Sequence, residues 1–187
     1  MLKEIAETGY NVGFGAKKHF ATYDITAKIP GLIGFVSITV GIFALFIDAL
    51  TAKSLSATLI VLGVMGICIG VYDRRKDRYA KVGSALTELF DRLKSLYYNV
   101  KASADLDLST FEQELQLIQT ECRRVAIAEQ ILFSGWYAHY KFFWEHQIDW
   151  IDEQKHFRLF RDKVPLSATL AIAGLFTAVI IALVLVH

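Results

Sequence analysis

Three uncharged apolar runs, each long enough to cross a lipid bilayer, constrain this chain more than anything else in it. Pro30 to Ile47 reads PGLIGFVSITVGIFALFI, Ser54 to Tyr72 reads SLSATLIVLGVMGICIGVY, and Pro165 to Val186 reads PLSATLAIAGLFTAVIIALVLV. At about 1.5 Å of rise per residue, each run as a helix covers a hydrocarbon core of roughly 30 Å. The short connection Asp48-Ala-Leu-Thr-Ala-Lys53 makes a tight hairpin of the first two. Composition agrees, because a chain of 187 residues that is 54% hydrophobic, with mean hydropathy +0.38, is too apolar for an ordinary soluble domain.

The charges that flank the runs give a direction to each. Lys17, Lys18 and Lys28 precede the first, and Arg74, Arg75, Lys76, Arg78 and Lys81 follow the second. Lys155, Arg158, Arg161 and Lys163 lead into the third, whereas the hairpin connection holds one Lys and one Asp. Cytoplasmic flanks carry the excess of Lys and Arg, so the N-terminus and the middle region are expected inside, and the hairpin loop and the C-terminus outside. A cleaved signal peptide is not expected, since the first run starts near residue 30 without a small-residue cleavage site. The net charge of +1 lacks the basic excess of a duplex-binding protein. Cys68 and Cys122 have no CxxC spacing and no companion ligands, so neither a disulfide nor a zinc site is expected.

Between the runs the pattern is helical. Val82, Leu86, Leu89, Leu93, Leu96 and Val100 recur at three- and four-residue spacing, which predicts an amphipathic helix continuing from the second span. After a break at 103–108, Ser109-Thr-Phe-Glu112 fits a capping box and Phe111, Leu115, Ile118, Cys122 and Val125 fall on one face. Gly135 to Asp162 is dense in aromatic residues and reads as a helix that runs into the third span. No stretch shows sustained alternation of period two. The expected fold is therefore an all-α membrane protein of three transmembrane helices with a cytoplasmic helical region. Its parts are a cytoplasmic interfacial helix at 1–29, a hairpin at 30–72 with spans near 30–47 and 54–72, helices at 73–164, and the third span at 165–187.

Candidate sites divide between the spans and the aromatic helices. Gly9 to Lys18, GYNVGFGAKK, resembles a phosphate-binding loop but lacks the GxxxxGK[ST] spacing and a preceding strand; it reads instead as a flexible entry to a short basic interfacial helix, Ala16 to Lys28. In the first span Gly31, Gly34, Ile38, Gly41, Leu45 and Asp48 share a stripe; in the second Ser56, Gly63, Gly66 and Gly70 share another; in the third Ser167, Ala171, Gly174, Ala178 and Ala182 do likewise. Small-residue stripes are the usual packing faces of membrane helices. The alternative is that some line a pore between subunits, with Ser37 and Thr39 as polar groups at depth and Asp48 as either a carboxylate ring at the outer mouth or an ordinary loop residue. One two-helix hairpin encloses nothing, so conduction would require a homo-oligomer. Ionisable residues are absent from all three runs, which argues against ion-coupled transport and against a membrane-embedded enzyme. His139 and His146 form a lone pair without a further ligand at metal spacing, and no cofactor is expected. Arg123, Arg124, Tyr137, Tyr140 and Lys141 combine rings with cations as a nucleotide ligand requires, although an aromatic stripe is more often helix packing.

The run GFGAKKHFATYDITAKIPGLIGFVSITVGIFAL, the close second span and the charged DRRKDRYAKV resemble the SLATT family of bacterial two-helix membrane proteins over roughly the first hundred residues. The resemblance implies a pore-forming effector of a bacterial anti-phage conflict system in the inner membrane, without catalytic residues. It also implies pairing with a nucleotide or oligonucleotide signal, or with a nucleotide-generating partner protein. The third run departs from the two-span pattern. The expected function is a homo-oligomeric pore gated through the cytoplasmic helices; the other reading is a non-conducting anchor that recruits a soluble partner.

Overall fold

The computed structural model describes residues 1–103, 108–146, 148–158 and 162–186, with side chains left undescribed at 108, 178–179 and 182–186. Most of the 103–108 break, Arg161 and His187 lie outside the described residues, as do the side chains of Ala178 and Ala182. Every regular element among them is helical: α1 Leu2–Phe43, α2 Lys53–Gly70, α3 Lys76–Ala102, α4 Leu108–Val125, α5 Ser134–Trp144, α6 Asp149–Lys155 and α7 Leu166–Val186. Single 3₁₀ turns at Asp48–Thr51 and Asp73–Arg75 flank α2.

The first helix departs most from expectation. Instead of a flexible entry, an interfacial helix and a separate span, residues 2–43 form one helix of about 63 Å at ordinary rise. Pro30 sits inside it, where it removes the hydrogen bond that Thr26 C=O would otherwise accept. Ile5, Ala6, Val12, Ala16, Ala21 and Thr22 are buried, so the first half of α1 is the central strut of the helical bundle rather than a helix lying on headgroups. Glycine makes this possible. A Cβ at Gly9 would overlap the Trp150 ring, one at Gly13 would meet Phe90 at 2.7 Å and Phe142 at 2.9 Å, and one at Gly83 would meet Phe20 at 3.0 Å. Each mid-helix glycine costs about 1 kcal/mol in propensity, and each admits an aromatic ring directly onto helix backbone.

Helix α3 lies antiparallel to α1, since Gly83, Leu86 and Phe90 meet Phe20, Gly15 and Gly13 in that order. The predicted stripe holds: Leu86, Leu89, Leu93, Leu96 and Val100 are buried. It does not run unbroken from α2, because the turn at Asp73–Arg75 ends with Arg75 at φ −114°, ψ 0°. On α4, Leu115 and Ile118 are buried and Phe111, Cys122 and Val125 pack against the same core. Among the described residues, the stretch 135–162 holds two separate helices, α5 and α6, rather than the single one expected, and α6 ends before Asp162. His156 adopts a left-handed φ of 50° after α6, where Asp152 Oδ1 accepts the Phe157 N–H at 2.6 Å. A side chain that captures a backbone donor in this way competes with helix continuation.

Two helical stretches, α1 and the one beginning with α2, are long and apolar enough to cross a membrane. Between them, residues 44–52 turn through the 3₁₀ segment, in which Thr51 Oγ1 donates to Asp48 C=O at 2.6 Å. Helix α7 follows Pro165 and, apart from half-buried Ala168, is exposed along its described side chains.

The junction between bundle and hairpin as a candidate functional site

The bundle meets the hairpin at the loop between α4 and α5, residues 126–133, where three side chains hold the backbone. His19 is buried on α1 and uses both ring nitrogens: Nδ1 lies 2.7 Å from Gly15 C=O and Nε2 lies 3.1 Å from the Ile127 N–H. A backbone donor at Nε2 requires that nitrogen to be a bare acceptor, so the proton sits on Nδ1 and donates to Gly15. Burial, reinforced by the neighbouring Lys18, holds the imidazole pKa below its ordinary value against the opposing Gly15 hydrogen bond. Thr22 Oγ1 lies 2.6 Å from Gln130 Oε1, and Gln130 Nε2 donates to Ile127 C=O at 2.8 Å. From α3, Tyr79 Oη donates to Glu129 C=O at 3.0 Å.

Directly beyond this clamp the loop turns apolar. Ile131 is buried, Leu132 is 74% exposed, and Phe133 takes φ 65°, the left-handed region. An aromatic residue there costs on the order of 1–2 kcal/mol, which the clamp and the start of α5 must hold in place. Leu132 and Phe133 line an apolar groove of about 440 Å³ together with Ile25 and Ile29 of α1 and Met65 and Cys68 of α2. A second tie crosses to α5. Asp24 pairs with Lys141 at 2.9 Å and with Lys28 at 2.7 Å. Burial pushes the Asp24 carboxyl up, but the hydrogen bonds from Lys28 and Lys141 outweigh it and leave the pKa below the ordinary value.

The residues singled out in the sequence fall in three places. Tyr137 and Lys141 meet, with Nζ 4.8 Å from the ring centroid, and Lys141 is already engaged by Asp24. Tyr140 is exposed on the same helix. Arg123 and Arg124 are apart from them, bonded within α4 to Thr120 at 3.1 Å and to Glu121 at 3.8 Å. The hairpin stripe is open: among the described residues nothing lies within 4 Å of a Cβ built at Gly34, Gly41, Gly63 or Gly70, whereas Gly66 has Ile33 at 3.8 Å. Ile38 and Leu45 are 66% and 78% exposed, Asp48 is exposed at the start of the turn, and Ser37 is half-buried. His139 and His146 pack separately, on Phe14 and Phe143 and on Phe90 respectively. Among the described residues, no group of three or more His, Cys, Asp or Glu is arranged to hold a metal ion.

A helical bundle fused through one continuous helix to an apolar hairpin defines a membrane protein with two spans at its core. The chain belongs to the family described as the SMODS and SLOG-associating 2TM effector domain, group 6, whose model matches residues 1–172. That match takes in the helical bundle as well as the hairpin, well beyond the first hundred residues in which the likeness is visible by eye. Comparison with curated proteins found no match, and comparison with solved structures found none. The family places the chain among the effectors of conflict systems built around SMODS and SLOG proteins.

The clamp carries no sequence signal. His19, Thr22, Tyr79 and Gln130 lie up to 111 positions apart and repeat no motif. The Asp24–Lys141 tie is equally silent, although Lys141 stands among aromatic neighbours in the sequence.

Proposed function

We propose that the chain is a regulated pore-forming effector of the bacterial inner membrane, acting as a homo-oligomer and without catalysis of its own. Its N-terminus and central helices lie in the cytoplasm, α7 forms a third span, and the C-terminus lies outside. The observation that carries this reading is the clamped loop at the junction: a signal that rearranges the bundle has a direct mechanical route to the base of both spans through His19, Thr22 and Gln130. The unpartnered hairpin face supports assembly, since small residues with open space beside them accept a neighbouring helix closely. Gly34, Ser37, Gly41 and Asp48 would then face the shared axis, with Asp48 as a ring at the outer mouth. The trigger is a nucleotide or oligonucleotide, or a partner protein that generates one, received by the cytoplasmic helices.

A second reading, a non-conducting anchor that recruits a soluble partner, is favoured by the exposed rings of Tyr140 and Trp144 on α5. Ion flux from liposomes containing the purified chain, with and without candidate nucleotides, separates the two. Conductance that rises on a trigger, and that shifts its threshold in Thr22→Val, supports the pore. Absence of flux under every trigger, with a stable monomer in detergent, would overturn it in favour of the anchor.

A further inference from the structure

From the groove at the junction, we infer that this chain binds one acyl tail of an anionic phospholipid beneath its hairpin, with the head group on the 3₁₀ turn before α3 and the first turn of α3. The groove holds about 440 Å³ and is bordered by Ile25 and Ile29 of α1, Met65 and Cys68 of α2, and Leu132 and Phe133 of the loop. That is the size of a ligand site, yet no charged or amide side chain lines it. Water needs two to four polar partners to stay in such a space, and the borders offer almost none. A flexible hydrocarbon chain needs only apolar contact. It is also the molecule that abounds at this level, where α2 ends and both helices of the hairpin leave the bundle.

Charge supplies the other half. Tyr72 closes the groove, and the six residues that follow, 73–78, hold four cations against two carboxylates. Arg75 is occupied by Glu129 at 3.3 Å and Lys76 by Asp73 at 2.8 Å. Arg74 and Arg78, both exposed and four residues apart, make no hydrogen bond or ion pair with the described residues. Basic sites beside membrane helices on the cytoplasmic side are where phosphate head groups bind. A tail in the groove and a phosphate on Arg74 and Arg78 satisfy both features with one molecule. The tail would lie against Leu132 and Phe133, so its presence would set how firmly the clamped loop bears on the spans. The inference requires the hairpin to sit in a bilayer; it does not require ions to cross.

The test uses the full chain in phosphatidylcholine vesicles doped with phosphatidylglycerol that carries a diazirine in its tail. After irradiation, labelled residues are mapped by mass spectrometry. Labelling is expected to concentrate several-fold at Met65, Cys68 and Leu132 over the outward-facing Phe35 and Ile60. Even labelling across all five would overturn the inference, leaving only the annular lipid that surrounds any span. Cys68→Trp, which places a ring in the groove, is expected to remove the Met65 and Leu132 label while sparing Phe35; Cys68→Ser is expected to keep it. Replacing both Arg74 and Arg78 by Gln should abolish preference for the phosphatidylglycerol probe over a phosphatidylcholine probe. Equal labelling by the two probes in the unaltered chain would overturn the anionic head group. Cross-linking of Cys68 between two copies by a short bis-maleimide would overturn the lipid and assign the groove to a second subunit.

Discussion

Glycine is used in opposite ways at the two ends of the molecule. In the helical bundle, Gly9 and Gly13 each sit under an aromatic ring with no room for a methyl group, and the Phe20 ring stands 3.0 Å from where a Cβ at Gly83 would be. In the hairpin, Gly31, Gly34, Gly41, Gly63 and Gly70 have nothing among the described residues within 4 Å of where a Cβ would stand. The first set is consumed within one chain: its closeness is what brings Trp150, Phe90 and Phe142 onto α1. The second set keeps its space free, so its packing value is realised only against something outside the chain, lipid or another copy. The same residue type therefore marks a finished interior in one region and an unfinished interface in the other.

The largest effect should come from filling a bundle glycine. Gly13→Leu forces a branched side chain against Phe90 and Phe142 and is expected to cost about 3 kcal/mol, at the upper end for overpacking. Denaturant unfolding of detergent-solubilised protein, followed by far-ultraviolet circular dichroism, checks it. Unchanged stability would mean that α1 does not bear on the rings as described. Next, Gly9→Ala is expected to cost about 2 kcal/mol alone and to lose about 1 kcal/mol of that cost beside Trp150→Phe, because the two substitutions share one contact. A strictly additive double mutant would break the assignment of Gly9 to Trp150.

The hairpin should behave otherwise. Gly34→Leu and Gly41→Leu are expected to leave bundle unfolding within about 0.5 kcal/mol of the parent, as for substitutions away from packed features, while changing the oligomer distribution on native gels or the conductance in bilayers. If bundle stability falls as steeply as in Gly13→Leu, the contrast between the two regions fails. If assembly changes and conductance per oligomer does not, the stripe is a packing face.

These contrasts also show what was readable beforehand. Apolar length and helical spacing exposed the hairpin, α3 and α4, because burial against lipid or a core imposes a period on the chain. That Leu86, Leu93 and Ile118 lie inside follows from spacing alone. The fate of residues 2–29 did not. Glycines at 9 and 13 normally weaken a helix, and only their distant partners Trp150 and Phe90 show why they belong in one. The end of α6 was hidden for a similar reason, since it follows from local capture of the Phe157 N–H by Asp152 rather than from any loss of apolar period. The junction was the least legible, because a clamp made of single hydrogen bonds between remote residues leaves no pattern in sequence.

The smallest expected effect lies at the boundary between the two regions and is read as a pH dependence. His19 faces Gly15 C=O and the Ile127 N–H, with Lys18 and the Tyr79 ring beside it, and its pKa in the folded chain is lowered chiefly by burial. An unfolded chain with an ordinary pKa of about 6.5 takes up this proton first as pH falls. Stability is then whole above that pH and declines below it, levelling only once the folded imidazole also protonates. His139 and His146 are lowered by burial as well and act in the same direction, so His19→Gln should reduce the slope between pH 7 and pH 5 without removing it. Asp24 acts in a separate window: its lowered pKa gives stability that is lost only in stronger acid, below the ordinary carboxylate range. Thermal unfolding of parent and His19→Gln across this range checks the assignment. Identical slopes would remove His19 from the clamp, whereas a reduced slope together with a pH-shifted conductance threshold would place the coupling between bundle and hairpin on this one imidazole.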